Sequence, residues 1–173
     1  DTDWTDLDYL IVDLPPGTGD IPLTLAQTIP ITGILVITTP QDVASHVAVK
    51  AVSMFEKLNV PILGVVENMS HFICPNCDDK HYIFGEGGGL KISEQFKIPF
   101  LGEIPLNSGI MAGSDLGKPI MISSVDSPSA EAFRISAKNI AAQCSIQAAK
   151  LQEEMAAEPA EETAETPEST TQN

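Results

Sequence analysis

The stretch Tyr9-Leu10-Ile11-Val12-Asp13-Leu14-Pro15-Pro16-Gly17-Thr18-Gly19-Asp20 decides how the rest of the chain is read. Its first half is a short apolar run, continuous rather than alternating, as in strands covered on both faces of a parallel sheet. It ends in a carboxylate, Asp13, and ligands of open α/β sheets bind at the carboxyl ends of strands. An Asp there is placed to hold Mg²⁺, usually through water, in a nucleotide site. Two prolines then stiffen the loop, Gly17 and Gly19 let backbone approach a ligand, and the amides around Gly17 and the next helix start are potential phosphate donors. On spacing alone the same residues also fit a tight strand-to-helix loop with Asp20 as its cap.

Three more runs of the same kind follow: Gly33–Thr38, Pro61–Glu67 and Pro99–Ile104. Helical patterns separate them. The clearest is Asp42–Leu58, with Ala44, Val47, Ala48, Ala51, Val52, Phe55 and Leu58 on one face and His46, Lys50, Ser53 and Lys57 on the other. Asp42 is positioned to cap it. Shorter helices are expected from Asp20 to about Ile29 and over Gly89–Phe96. Ser127-Pro128 marks a further start, a cap residue followed by proline at the first helical position, for a helix expected to bury Phe133, Ala137, Ile140, Ala141 and Cys144. Strands alternating with helices imply β-α-β units: an α/β fold, a parallel sheet with flanking helices. A buried strand beginning at residue 9 needs neighbours on both sides, so earlier strands are expected in the complete protein.

The 173 residues carry a net charge of −15, and 43% are hydrophobic. Seven of the 24 acidic residues lie in 151–173, which has no Lys or Arg, leaving 17 acids against 9 bases in 1–150. The expected division is therefore a folded domain over 1–150 and a disordered acidic tail over 151–173, too poor in large apolar residues to order itself. The acidic balance argues against nucleic acid and anionic lipid as partners. No apolar run approaches the roughly 18 residues of a membrane span, and Asp1-Thr2-Asp3-Trp4 has no signal-peptide character, so a cytoplasmic protein is expected.

Two glycine-rich segments imitate phosphate loops. Gly113-Ser114-Asp115-Leu116-Gly117-Lys118-Pro119 is one residue short between its glycines and has Pro119 where Ser or Thr is required. Gly85-Glu86-Gly87-Gly88-Gly89 follows no strand and would set Glu86 against an anion, so it reads as a flexible turn.

Cys74-Pro75-Asn76-Cys77 sits in a loop after the third apolar run. Two intervening residues let both thiolates face one metal centre, but a structural zinc or a four-iron cluster needs four ligands. Cys144, on the expected core face of its helix, reads as a small apolar residue. Spacing leaves two readings level: a cluster shared by two C-x-x-C pairs across a symmetric dimer, or a Cys₂His₂ zinc site completed by His71 and His81. A redox dithiol ranks below both, because Asp78-Asp79 would raise the thiol pKa values.

In order, Asp13–Asp20, Thr38-Thr39-Pro40-Gln41-Asp42, Gly64-Val65-Val66-Glu67-Asn68-Met69-Ser70, Cys74-x-x-Cys77, Phe84-Gly85 and Leu101-Gly102-Glu103-Ile104-Pro105-Leu106 resemble the Mrp family of iron–sulfur cluster carrier ATPases. These are deviant P-loop NTPases related to MinD and ParA. The resemblance covers about residues 8–143. It implies that Asp13 is the Walker B acid near Mg²⁺, Gly17 the glycine that senses the γ-phosphate, and Asn68 the amide that reads adenine. It further implies that Cys74 and Cys77 share a [4Fe–4S] cluster with a second protomer of a homodimer, that apo iron–sulfur proteins receive it, and that ATP controls the process. The family's lysine-bearing phosphate loop has no counterpart in these 173 residues, so an N-terminally truncated domain with little ATPase activity is expected. A MinD- or ParA-like positioning ATPase is the remaining alternative, but the acidic tail disfavours it and it leaves the cysteines without a role.

Overall fold

The computed structural model describes residues 3–15, 19–74, 76–77 and 79–157. Three strands form a parallel sheet: β1 (Ile34–Thr38), β2 (Ile62–Ile73) and β4 (Phe100–Leu106). β2 lies in the middle, pairing with β1 through Ile34–Thr38 and with β4 through Val65–Asn68. Its last residues turn back into β3 (Lys80–His81), which pairs antiparallel, Phe72 with His81 and Ile73 with Lys80. This hairpin makes the sheet mixed where an all-parallel one was expected.

Both faces of β2 are buried, and alternation sends neighbouring valines to opposite sides. Val65 joins Val36, Ala48, Val52 and Ile92 under α2 (Asp42–Lys57) and α3 (Gly88–Phe96). Val66 joins Leu101 and Ile104 on the other face, where Ala132 and Ile140 of α6 (Pro128–Ala157) cover them. The result is three layers, helix–sheet–helix, which is why the strand sequences carry no polar alternation. On α2 the buried residues are Ala48, Val52 and Phe55, spaced four and three apart. Each large side chain fully buried this way contributes about 1.5–3 kcal/mol.

Three expectations need correction. Tyr9–Leu14 is not a strand: it pairs with nothing among the described residues, and Leu10 and Ile11 are 59% and 88% exposed. An extended segment becomes a strand only through a partner's amides and carbonyls, and none lies beside it here. The stripe on α6 is also different. Phe133 and Ala137 are exposed, whereas Ser129, Ala130 and Ser136 are buried. The cause lies in β4: a Cβ at Gly102 would stand 2.3 Å from Ser136 Oγ, so helix and sheet approach too closely for a large side chain. Finally, α6 continues beyond residue 151 to Ala157, because Leu151, Gln152 and Ala156 are strong helix formers. Residues 158–173 of the expected tail lie outside the described residues.

The helix start at Ser127-Pro128 is as expected, with Ser127 Oγ accepting from the Ala130 amide at 3.1 Å. Asp20 and Asp42 are instead the first residues of α1 (Asp20–Thr28) and α2, following Gly19 and Gln41, and neither end has a side-chain cap. There their charge complements the helix dipole. Asn107 caps α4 (Ser108–Asp115), with its Oδ1 2.7 Å from the Gly109 amide. The short helix α5 (Ile120–Ser123) completes the set of elements. No described helix is long and apolar enough to cross a membrane.

Candidate nucleotide groove and metal-binding hairpin

A groove of about 410 Å³ runs along β1 between the sheet and α2 and reaches the strand's carboxyl end. Its lining is mostly apolar; Thr38, Thr39 and Asn68 supply the polar part, and Leu14 and Pro15 border it. Asn68 is half-buried, and its Oδ1 accepts from the Met69 amide at 2.9 Å, with Met69 in the left-handed region at φ 55°. Thr39 Oγ1 bonds Gln41 Oε1, which stiffens the turn into α2. Asp13 is exposed and does not line the groove. Gly17 lies outside the described residues. The structure therefore brings Asn68 to the groove beside the Leu14-Pro15 segment, while Asp13 stands apart.

Beside Asn68, the carboxylate of Glu67 is buried at 2% exposure. Its Oε2 accepts from the Gly89 amide at 2.7 Å, and the amides of Gly87 and Gly88 also point at it. Burial pushes the Glu67 carboxyl up; the Gly89 amide opposes that rise and the charge of Glu103 adds to it. The glycine turn is thus a seat for a buried acid. A Cβ on Gly88 would stand 2.8 Å from the Pro40 carbonyl, and Gly87 takes φ 71°. The signal for Glu67 is present in the sequence, as an acid ending a wholly apolar strand.

The second site is the turn of the β2–β3 hairpin. The Cys74 amide donates to the Asp79 carbonyl at 3.0 Å, closing the loop that carries Cys77. Cys74 is half-buried, Cys77 and His81 are exposed, and all three cysteines are free thiols. The Asn76 and Cys77 amides and the Cys77 side chain donate to Cys74 Sγ and hold its pKa below the usual cysteine range. The shift runs opposite to the rise expected from Asp78-Asp79, because N–H donors beside the sulfur favour its thiolate. Ligand atoms of Cys74, Cys77 and His81 all lie within 4.8 Å of one another.

His71 does not join them. It is buried, its Nδ1 shares a 2.9 Å hydrogen bond with Ser70 Oγ, and its ring tilts against Tyr82. Its Nδ1 also lies 3.8 Å from a Glu103 oxygen. That spacing alone would suggest an ion pair, but burial, reinforced by Lys80, lowers the His71 pKa against the opposing pull of Glu103. The ring is therefore neutral at pH 7. The Cys₂His₂ set expected from spacing is reduced to three ligands. Cys144 is half-buried on α6.

A three-layer domain whose sheet carries a threonine pair and Asn68 at the carboxyl end of its strands belongs to the open α/β class that takes ligands at that end. Comparison with known proteins narrows the class. The family profile described as "ParA: NUBPL iron-transfer P-loop NTPase" matches residues 1–141. The chain belongs to that family. It is 49% identical over 146 residues to the iron-sulfur cluster carrier protein of Deinococcus radiodurans, covering 84% of this chain and 41% of that one. It is 48% identical over 145 residues to the iron-sulfur cluster transfer protein NUBPL of Dictyostelium discoideum, covering 84% and 45%. Among solved structures it resembles a nucleotide-binding protein of Archaeoglobus fulgidus in complex with ADP and with cobalt found in it. That match has a TM-score of 0.62 and 42% identity, and covers 74% of this chain and 51% of that one. The chain thus spans about two fifths to one half of these relatives.

Proposed function

We propose that this chain is the cluster-holding part of an ATP-controlled iron–sulfur carrier. Cys74 and Cys77 contribute two thiolates to a [4Fe–4S] cargo, a second copy contributes two more in a homodimer, and the cluster passes to apo iron–sulfur proteins. The observation that carries this reading is the hairpin. Two cysteines converge on one point, and Cys74 Sγ already receives backbone N–H bonds that favour a thiolate ligand. The relatives named as cluster carriers and transfer proteins support it. Asn68 supplies an amide with both donor and acceptor for a nucleobase edge in the groove, in keeping with the ADP held by the Archaeoglobus fulgidus relative. In the longer protein Asp13 would hold Mg²⁺ through water and Gly17 would meet the terminal phosphate, with Mg²⁺ neutralising phosphate charge. Nucleotide binding would then change how firmly the two copies hold the cluster, a conformational control.

Anaerobic reconstitution with ferrous iron and sulfide tests the reading. A brown product with about four irons per two chains is expected, together with a shift from monomer to dimer on gel filtration. Cys74→Ser and Cys77→Ser should each abolish both. A colourless wild-type product that remains monomeric would sink the proposal.

A further inference from the structure

The hairpin offers one ligand more than a cluster shared by two cysteine pairs requires. Register places His81 directly opposite Phe72, and opposed residues of an antiparallel pair project to the same face. Cys74, two residues beyond Phe72, continues that face. His71, one residue before Phe72, falls on the other face, where its ring tilts against Tyr82. Topology thus separates two imidazoles whose sequence spacing from the cysteines makes them look equivalent.

The distances suit a metal. A tetrahedral zinc with bonds of about 2.3 Å to sulfur and 2.0 Å to nitrogen sets its ligand atoms about 3.5–3.8 Å apart. The three donors already lie within 4.8 Å of one another. Cys77 and His81 are exposed, so their side chains are not packed against neighbours that would hold them apart. The loop itself is held by the Cys74 amide on the Asp79 carbonyl and by amides on Cys74 Sγ.

We propose that His81 is a third protein ligand, and that one chain alone binds a single thiophilic divalent ion as a Cys74–Cys77–His81 centre with its fourth position open. This mononuclear state differs from the shared cluster: it needs no second copy, and its fourth position is free for an incoming donor. It rests on the cysteine pair being a metal site, and not on the cargo being a cluster.

The test uses the 173-residue chain, metal-free and reduced, with Zn²⁺ as the probe. Competition with a chromophoric chelator gives affinity, native mass spectrometry gives stoichiometry, and X-ray absorption gives the donor set. One Zn²⁺ per monomer is expected, bound by two sulfurs and at least one nitrogen. His81→Ala should weaken binding at least tenfold and lose the nitrogen, His81→Cys should restore tight binding, and His71→Ala should change affinity less than twofold. Unchanged circular dichroism in His81→Ala would show that the exposed residue acts as a ligand and not through folding. Zinc bound by His81→Ala within twofold of wild type, or found only as one ion per two chains, overturns the proposal. Iron and sulfide reconstitution of the same variants separates the two readings. His81→Ala should still assemble the shared cluster, whereas a wild type that binds zinc through His81 but forms no cluster would sink the carrier reading and uphold this one.

Discussion

Two residues, one in β2 and one in the turn that follows it, have environments that reverse what their type suggests. Glu67 is a carboxyl group placed where the strand is otherwise apolar, and three successive glycine amides offset only part of the effect of its burial. Removing the acceptor with Glu67→Ala would orphan those amides and should cost about 1–3 kcal/mol of folding stability in urea titration. The raised carboxyl also sets a pH dependence. Between the ordinary Glu value of about 4.3 and its higher folded value, the native state holds a proton that the unfolded chain has lost. Stability should therefore fall as pH rises through that window, and Glu67→Gln should flatten this part of the profile. A wild-type curve rising there, with no difference in the variant, would contradict the assignment. Cys74 shifts the opposite way, because N–H donors favour its thiolate. Its alkylation by iodoacetamide, followed by peptide mass spectrometry in the metal-free chain, should rise at lower pH than that of an unperturbed cysteine. A midpoint at or above about 8.5 would refute the amide effect.

Among the elements, the contact of α6 with β4 shows how a helix stripe is misread. Ala and Phe positions suggest one face, but beside Ala130, Ala132 and Ile140 the face that meets the sheet includes Ser129, Ser136 and half-buried Asn139, whose Nδ2 donates to the Leu101 carbonyl at 2.9 Å. Gly102 at φ 155° permits the approach. Gly102→Ala should destabilise by about 1–3 kcal/mol through collision with Ser136. Ser136→Ala should cost little or stabilise, because the buried hydroxyl has no hydrogen-bond partner among the described residues. Thermal melts of the two variants, which should move in unequal amounts, check the pair. A large loss in Ser136→Ala would mean the hydroxyl has a partner that the packing does not show.

For the molecule as a whole, the groove at the end of β1 presents Asn68 and two threonines but, among the described residues, no lysine or arginine for phosphate. Nucleotide sites of this class draw most of their phosphate affinity from a lysine-bearing glycine loop, and the 173 residues contain no G-x-x-x-x-G-K-[ST]. Isothermal titration of this chain with Mg²⁺-ATP should show no saturable binding in the micromolar range. A micromolar dissociation constant would show that the groove is sufficient by itself. The exposed Leu10–Val12 run belongs to the same scale. It has the composition of a covered strand and lies uncovered here because pairing is a property of neighbours, not of the segment.

Local chemistry carried much of this in the sequence. Three of the four continuous β-branched runs are strands, the three- and four-residue spacing on α2 specifies its inner side, and Ser127-Pro128 specifies the start of α6. These are legible because each depends on side chains within a few residues of one another. The ordered motifs also pointed to the family that the profile match shows. Tertiary structure decided what depends on distant segments meeting. The narrow gap between α6 and Gly102 put Ser136 into that face in place of a large side chain. The glycine turn became the seat of Glu67, 22 residues before Gly89. Hairpin register turned His81 toward the cysteines and His71 away from them, a choice that spacing leaves level because a strand's two faces look alike until its partner is in place.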